Sequence, residues 1–332
     1  MFHMTTKRTK VQNTSTKHDE VINALPLACS DETAAVEFME QQRWGDHPAC
    51  SECGSLGVYQ MRDRKTGQRQ ANFRWRCRDC KAQFTVRKGT VLEDSAIPLR
   101  HWAYAFWRAA TSKKGVSALE IKRHTGLSYK SALFLLHRIR FAMDDAQPSA
   151  PMGSGGGGIV EADETYFGTK EGQPKVKSPW GHKHAIFALV ERGGRARSFH
   201  LPRVTSETLR TILDQHVDRS AMFMTDDAKM YKRLGRPFAF HRSVRHSIKE
   251  YALPDGSHTN TIEGFFSILK RGLNGIYHNV SEHHLHRYLA EFDFRYTNRT
   301  LTDGQRTALA IKQSQGKRLM YRCDGPEGME LA

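Results

Sequence analysis

Two cysteine pairs, Cys50-Ser-Glu-Cys53 and Cys77-Arg-Asp-Cys80, lie 23 residues apart in a chain of 332. Each pair sets two thiolates on one tight knuckle. Two knuckles close a tetrahedral four-sulfur site with no open position, which is the coordination of structural rather than catalytic zinc. Between them VYQMRDR and FRWRC alternate like paired strands, so the spacing predicts a zinc ribbon. Four unrelated thiols, or a redox pair, would not require the doubled spacing. Cys29 and Cys323 stand apart, and in a reducing compartment the set points to metal rather than disulfides. Without its ion so small a module should lose its structure.

The rest of the composition names a partner. The chain carries 51 Lys plus Arg against 35 Asp plus Glu, a net charge of +16. That excess favours a polyanion, with nucleic acid ahead of an anionic membrane surface. An apolar content of 39% is enough for real cores. No apolar run approaches the roughly 20 residues of a membrane span; AIFALV (185–190) has strand length. The basic, polar N-terminus lacks the apolar stretch of a secretory signal and reads as a solvated tail that also offers loose phosphate contact. A cytoplasmic protein is expected.

Along the chain we read a basic tail (1–25), an N-terminal helix with the zinc ribbon (26–95), a helical region (96–146), a flexible Gly/Ser linker (147–158), an α/β domain (159–300) and a C-terminal tail (301–332). The first helix is expected near 30–44, starting at Ser30 or Asp31. After the linker, GIVEADETYF, KHAIFALVER and ARSFHLPRV read as strands, 206–217 as a helix capped by Ser206, AMFMTDD as a buried strand, and 260–272 and 281–297 as helices. The fold class is therefore multidomain, with small binding modules followed by an α/β layer.

Within the helical region Trp102, Tyr104, Phe106 and Trp107 should fill a small core. One helix ends near His124, Gly126 supplies a turn, and Ser128 caps a second helix with Leu133, Leu136 and Ile139 on one face. Helix, glycine turn, helix is the helix-turn-helix pattern. On DNA, Tyr129 and Lys130 would face base edges, and Arg138 or Arg140 would contact phosphate. The ribbon cations Arg74, Arg76, Arg78, Lys81, Arg87 and Lys88, and the basic segment 232–250, add candidate backbone contacts.

Three acids follow the linker. Period-two alternation puts Glu161, Asp163 and Thr165 on one face of the first strand. Asp226 ends the strand AMFMT, and Glu263 opens a helix. Converging, three such carboxylates can hold two divalent cations about 3.5–4 Å apart, one activating an attacking hydroxyl and one stabilising the leaving oxygen. Hard oxygen ligands fit Mg²⁺ or Mn²⁺. Each acid also has a structural reading: Asp163 as a strand-end partner of lysine, Asp226-Asp227 as a turn, and Asn260-x-x-Glu263 as a capping box. Histidines 278, 283, 284 and 286 invite a further metal site, but they lack a matching ligand set and are expected to pack or to touch DNA.

VEADETYFG, MTDDAKMY and HTNTIEGFFSILKRGLNGIYHNVSEHHLHRYLAEFDFRYTNR resemble the catalytic blocks of DDE transposases of bacterial insertion sequences, in the branch with an N-terminal zinc ribbon. The resemblance covers about residues 45–300. It implies a ribonuclease-H-like catalytic domain, a mixed sheet flanked by helices, that cleaves element ends and joins the 3′-hydroxyl to target DNA with two Mg²⁺ or Mn²⁺ per site. Position by position, it implies Asp163, Asp226 and Glu263 as the metal-binding acids, with Asn260 in reserve for the third. It also implies Lys270 on the same helix face as a phosphate contact, with Arg271 beside it on DNA. Partners would be double-stranded DNA and further copies of the chain in a synaptic complex, in a bacterial, nucleoid-associated setting. The rival readings are a metal-dependent nuclease that cuts without joining, and a zinc-ribbon DNA-binding protein with an inert α/β domain.

Overall fold

A computed structural model describes residues 19–145, 150–155, 157–170, 182–244 and 258–320. Helix α1 (Glu20–Ser30) is capped by Asp19, whose carboxylate accepts from the Ile22 N–H, and Asp31 caps α2 (Glu32–Trp44) in the same way. The tail expected to reach residue 25 is thus already helical from Glu20. The apolar faces of these helices demand cover, which sequence reading had placed too far downstream.

Strands β1 (Val58–Gln60), β2 (Trp75–Cys77) and β3 (Gln83–Phe84) form the antiparallel sheet of the ribbon. The ribbon leans on α2. Trp44 meets Trp75 and Phe84 edge to face, with centroids 5.8 and 5.9 Å apart. The buried Glu40 accepts the Trp75 indole N–H at 2.7 Å and pairs with Arg69.

Helices α3 (Leu99–Thr111), α4 (Ala118–Thr125) and α5 (Tyr129–Met143) follow. Trp102 and Phe106 sit at the centre of their core, whereas Tyr104 and Trp107 lie half-buried at its edge. Gly126 ends α4 at φ +74°, a left-handed turn that a side chain would strain. Ser128 then caps α5 by accepting the Ser131 N–H. The helix pair joined by a glycine turn is present as the pattern predicts.

The five-stranded sheet has the order β6-β5-β4-β7-β8, from β4 (Ile159–Phe167), β5 (His184–Glu191), β6 (Ala196–Leu201), β7 (Met222–Asp226) and β8 (Phe240–Val244). Strands β4, β5 and β6 are antiparallel neighbours, while β7 and β8 run parallel to β4. Val160, Ala162 and Phe223 pack against α6 (Ser206–His216) and α7 (Lys229–Leu234). On the opposite face Ile186, Ala188 and Val190 pack against α8 (Asn260–Gly272) and α9 (Glu282–Thr297). This is the mixed, helix-flanked sheet of a ribonuclease-H-like domain. Thr205, not Ser206, caps α6.

Two expectations need correction. Residues 301–332 do not begin as a tail. Helix α10 (Asp303–Lys312) returns to the N-terminal core, where Ala310 and Ile311 are buried. Asp19 fastens it there by accepting from the Thr302 hydroxyl and the Gly304 N–H. A Cβ on Gly304 would lie 1.9 Å from an Asp19 oxygen, so only glycine permits the approach. The stretch 147–158 is also not wholly free. Met152 is buried, donates to the His216 carbonyl at 2.7 Å and accepts from the Asp218 N–H at 2.8 Å; residues 146–149 and 156 lie outside the described set, as do Cys323 and 245–250 of the basic segment.

The expected phosphate contacts Arg138 and Arg140 also need correction, since both are buried. Arg138 donates to the carbonyls of Val91 and Glu93. Arg140 donates to Glu291 of α9 at 2.7 Å, and its guanidinium lies over the rings of Tyr277 and Tyr288. Glu291, fully buried, also receives Arg295 and, at 2.7 Å, the Tyr277 hydroxyl. Arg295 donates onward to the Ala109 carbonyl of α3. Two arginines on one buried carboxylate therefore weld the helical module to the catalytic domain. Burial alone would raise the Glu291 pKa, but Arg295 and Arg140 hold it below the usual carboxylate range. Its stabilising contribution is complete above the unfolded carboxylate pKa and is lost as pH falls through the lower folded one. Glu291→Gln, which leaves two buried cations uncompensated, is expected to cost about 3–5 kcal/mol in urea unfolding at neutral pH. A change within experimental error would refute the weld.

Candidate active site and zinc centre

β4 lies at the middle of the sheet, and its alternation sorts its acids. Glu161 and Asp163 face α8, whereas Glu164 faces α7, where the buried Tyr231 hydroxyl donates to it at 2.6 Å. The parallel pairing Glu161↔Met224, continued two residues, sets Asp163 opposite Asp226 at the end of β7. The Asp226 carboxylate accepts the Ala228 N–H at 3.1 Å, while Asp227 is exposed. Asp226 is thereby distinguished from its neighbour by position rather than by type.

Glu161, which the alternation places on the same strand face as Asp163, seats the start of α8. It is fully buried, pairs with Arg192 at 2.6 Å, and accepts the Ile262 N–H in the first turn of α8 at 2.9 Å. Arg192 also donates to the His258 carbonyl just before that helix. A carboxylate on the positive end of a helix is favourable, and here it docks α8 two residues from Asp163 along the strand. Glu263 follows Ile262 directly. The helix is capped at Thr259, with no side-chain cap bond, so Asn260 is its first residue and the Asn260–Glu263 capping box is not formed.

The electrostatics record the result. Asp163 is pushed up to about 7, by burial first, then by the charges of Glu164, Asp226 and Glu263 and against the Glu164 N–H that it accepts. Glu164 is likewise pushed to about 7, by burial and by Asp226 and against the Tyr231 hydroxyl. Acids from β4, β7 and α8 thus act together on the largely buried Asp163 carboxyl, while Glu263 itself is exposed at the start of α8. Such a group of hard oxygens is relieved by a divalent cation, so the donor set fits Mg²⁺ or Mn²⁺. Asn260 and Lys270 are exposed on α8, and Lys270, two turns after Glu263, shares its face. Arg271 is exposed beside it. Tyr129 and Lys130 are exposed at the start of α5.

In the ribbon the Sγ atoms of Cys50, Cys53, Cys77 and Cys80 all lie within 4.8 Å of one another. Cys50 and Cys80 are 3.5 Å apart, and Cys53 and Cys77 3.7 Å. Tetrahedral zinc with bonds of about 2.3 Å separates its sulfurs by about 3.8 Å, whereas a disulfide needs about 2.05 Å. The N–H groups of Cys80 and Asp79 help hold the Cys77 thiol down to about 7, favouring the ligating thiolate. Cys29 is half-buried and pushed up to about 11 by burial, which fits a packing role.

Comparison with known proteins finds matches for both regions of the chain. Residues 156–297 match the ISXO2-like transposase domain, and residues 30–83 match the transposase zinc-ribbon domain. Together the matches cover more than half of the chain. The chain belongs to this zinc-ribbon transposase family. A protein in the transposable element ISH50 of Halobacterium salinarum is 29% identical over 283 residues, covering 80% of this transposase and 90% of its relative. Among the described residues, no helix is long and apolar enough to cross a membrane.

The ribbon of the transposase should depend on its ion. Chelation at neutral pH is expected to abolish amide-exchange protection in β1–β3 while the catalytic sheet stays protected, and added Zn²⁺ should restore it. Protection unchanged by a strong chelator would exclude a structural metal there.

Proposed function

We propose that this transposase cleaves the ends of its element and joins the freed 3′-hydroxyl to target DNA, at a site formed by Asp163, Asp226 and Glu263. The observation that carries the reading is electrostatic: acids separated by 100 residues of chain raise the pKa of one strand carboxyl together. That effect includes Glu263, the acid on α8. Asp163 and Asp226 hold their carboxylates fixed, one by its place in the sheet and one by the Ala228 N–H. Glu263 stands on a helix docked by Glu161, so all three are positioned before substrate arrives.

Mg²⁺ or Mn²⁺, when bound, supplies stabilisation of charge on the scissile phosphate and an ionised hydroxyl at neutral pH. The carboxylates orient that chemistry, and Tyr231 keeps Glu164 beside them. Lys270 and Arg271 offer positive charge to the DNA backbone. Tyr129 and Lys130 are the exposed residues placed to meet a groove, and the ribbon adds further cations. Holding two element ends at once calls for at least a second copy of the chain.

Asp163→Asn, Asp226→Asn and Glu263→Gln are each expected to lower strand transfer by about 10²-fold or more, with binding to element-end DNA retained in a mobility-shift assay. Wild-type transfer in any of the three removes that residue from the site. Cut ends that never become covalently joined to target would favour the nuclease reading instead.

A further inference from the structure

A second cluster of metal-binding side chains stands away from both centres. His184 begins β5, His200 lies near the end of β6, and Glu282 is the first residue of α9. One donor atom from each lies within 4.8 Å of the others. His184 Nδ1 is 3.9 Å, and His200 Nε2 3.7 Å, from the two oxygens of the same Glu282 carboxylate. Those separations are too long for hydrogen bonds. Both nitrogens are nevertheless sealed from solvent with no hydrogen-bond partner among the described residues, and the His184 side chain is only 5% exposed. Orphaned buried polar atoms are costly, and here two of them point at one carboxylate.

We propose that His184, His200 and Glu282 form a divalent-metal site, with Zn²⁺ as its natural ion, that pins the start of α9 to the β5–β6 hairpin. Two imidazoles and one carboxylate make a borderline donor set suited to zinc rather than to Mg²⁺. With bonds of about 2.0–2.2 Å, tetrahedral geometry places donors about 3.3–3.6 Å apart. A small rotation of the exposed Glu282 side chain closes the difference. Lys170 contributes the opposing positive charge, but its Nζ is engaged by the Pro202 carbonyl. His286, one turn beyond Glu282, lines a neighbouring cavity of about 510 Å³ together with His200.

The cluster is separate from the catalytic acids. Asp163 pairs with Ala188, and Phe167 with His184, an offset of four residues or about 13 Å along the sheet. It also differs from the histidine group suggested by sequence. His284 instead lies against His137, with ring centroids 4.7 Å apart, and α9 contributes its glutamate while the strands contribute the imidazoles.

Full-length protein loaded with Zn²⁺ and then desalted is expected to retain about two zinc ions per chain by elemental mass spectrometry, one of them held by the cysteines. His200→Ala and Glu282→Ala should each retain about one, while Asp163→Asn should keep both, which separates this site from the catalytic acids. Glu282 is nearly half exposed at a helix end, so its truncation leaves the fold intact even if the histidine variant fails. Calorimetric titration of Zn²⁺ into protein whose ribbon is already filled should show one further binding event, weakened at least about tenfold in Glu282→Ala. A wild-type chain that retains one zinc and shows no further event, or a Glu282→Ala chain that retains two, overturns the proposal.

Discussion

The contact between the buried Glu161 carboxylate and the first turn of α8 decides where that helix is seated against β4. Asp163 and Asp226 stand on neighbouring parallel strands, each two residues beyond the paired Glu161 and Met224. Glu263 comes from a helix that follows a long connection, and no register fixes it. The Ile262 N–H and Arg192, both satisfied by Glu161, supply what register cannot. A buried charge is tolerated only when so engaged, so the residue that positions the helix also requires it to be there.

A similar device joins the two halves of the molecule. Glu291 sits between Arg140 of α5 and Arg295 of its own helix, with Tyr277 completing its shell. Pairs of this kind contribute little net stability but penalise any other packing of the same surfaces. The helical module is therefore held in a fixed relation to the α/β domain, and the return of α10 to the N-terminal core closes the same arrangement. Of the two arginines of α5, Arg140 serves this packing and Arg138 instead holds the Val91 and Glu93 carbonyls, while Tyr129 and Lys130 stand exposed at the helix's other end.

Much of this was legible in the sequence because short-range rules govern it. The doubled C-x-x-C spacing, the Gly126 turn with its Ser128 cap, and period-two alternation around Asp163 each depend on a few adjacent residues. What escaped depends on partners far along the chain. Arg138 and Arg140 look like any basic residues on a helix until the carbonyls of Val91 and Glu93 and the carboxylate of Glu291 are seen. Helix α10 reads as a polar tail because its apolar face is narrow and its cover lies some 200 residues upstream. His184, His200 and Glu282 share no local spacing; only the pairing of β5 with β6 and the seating of α9 bring them together.

The most direct measurement of the central claim is anomalous diffraction at the manganese edge from crystals soaked in Mn²⁺. Peaks bridging the carboxylates of Asp163, Asp226 and Glu263 are what the account predicts. Peaks that leave any of these three side chains uncoordinated while DNA is bound at the site, or no peak there at all, would contradict it.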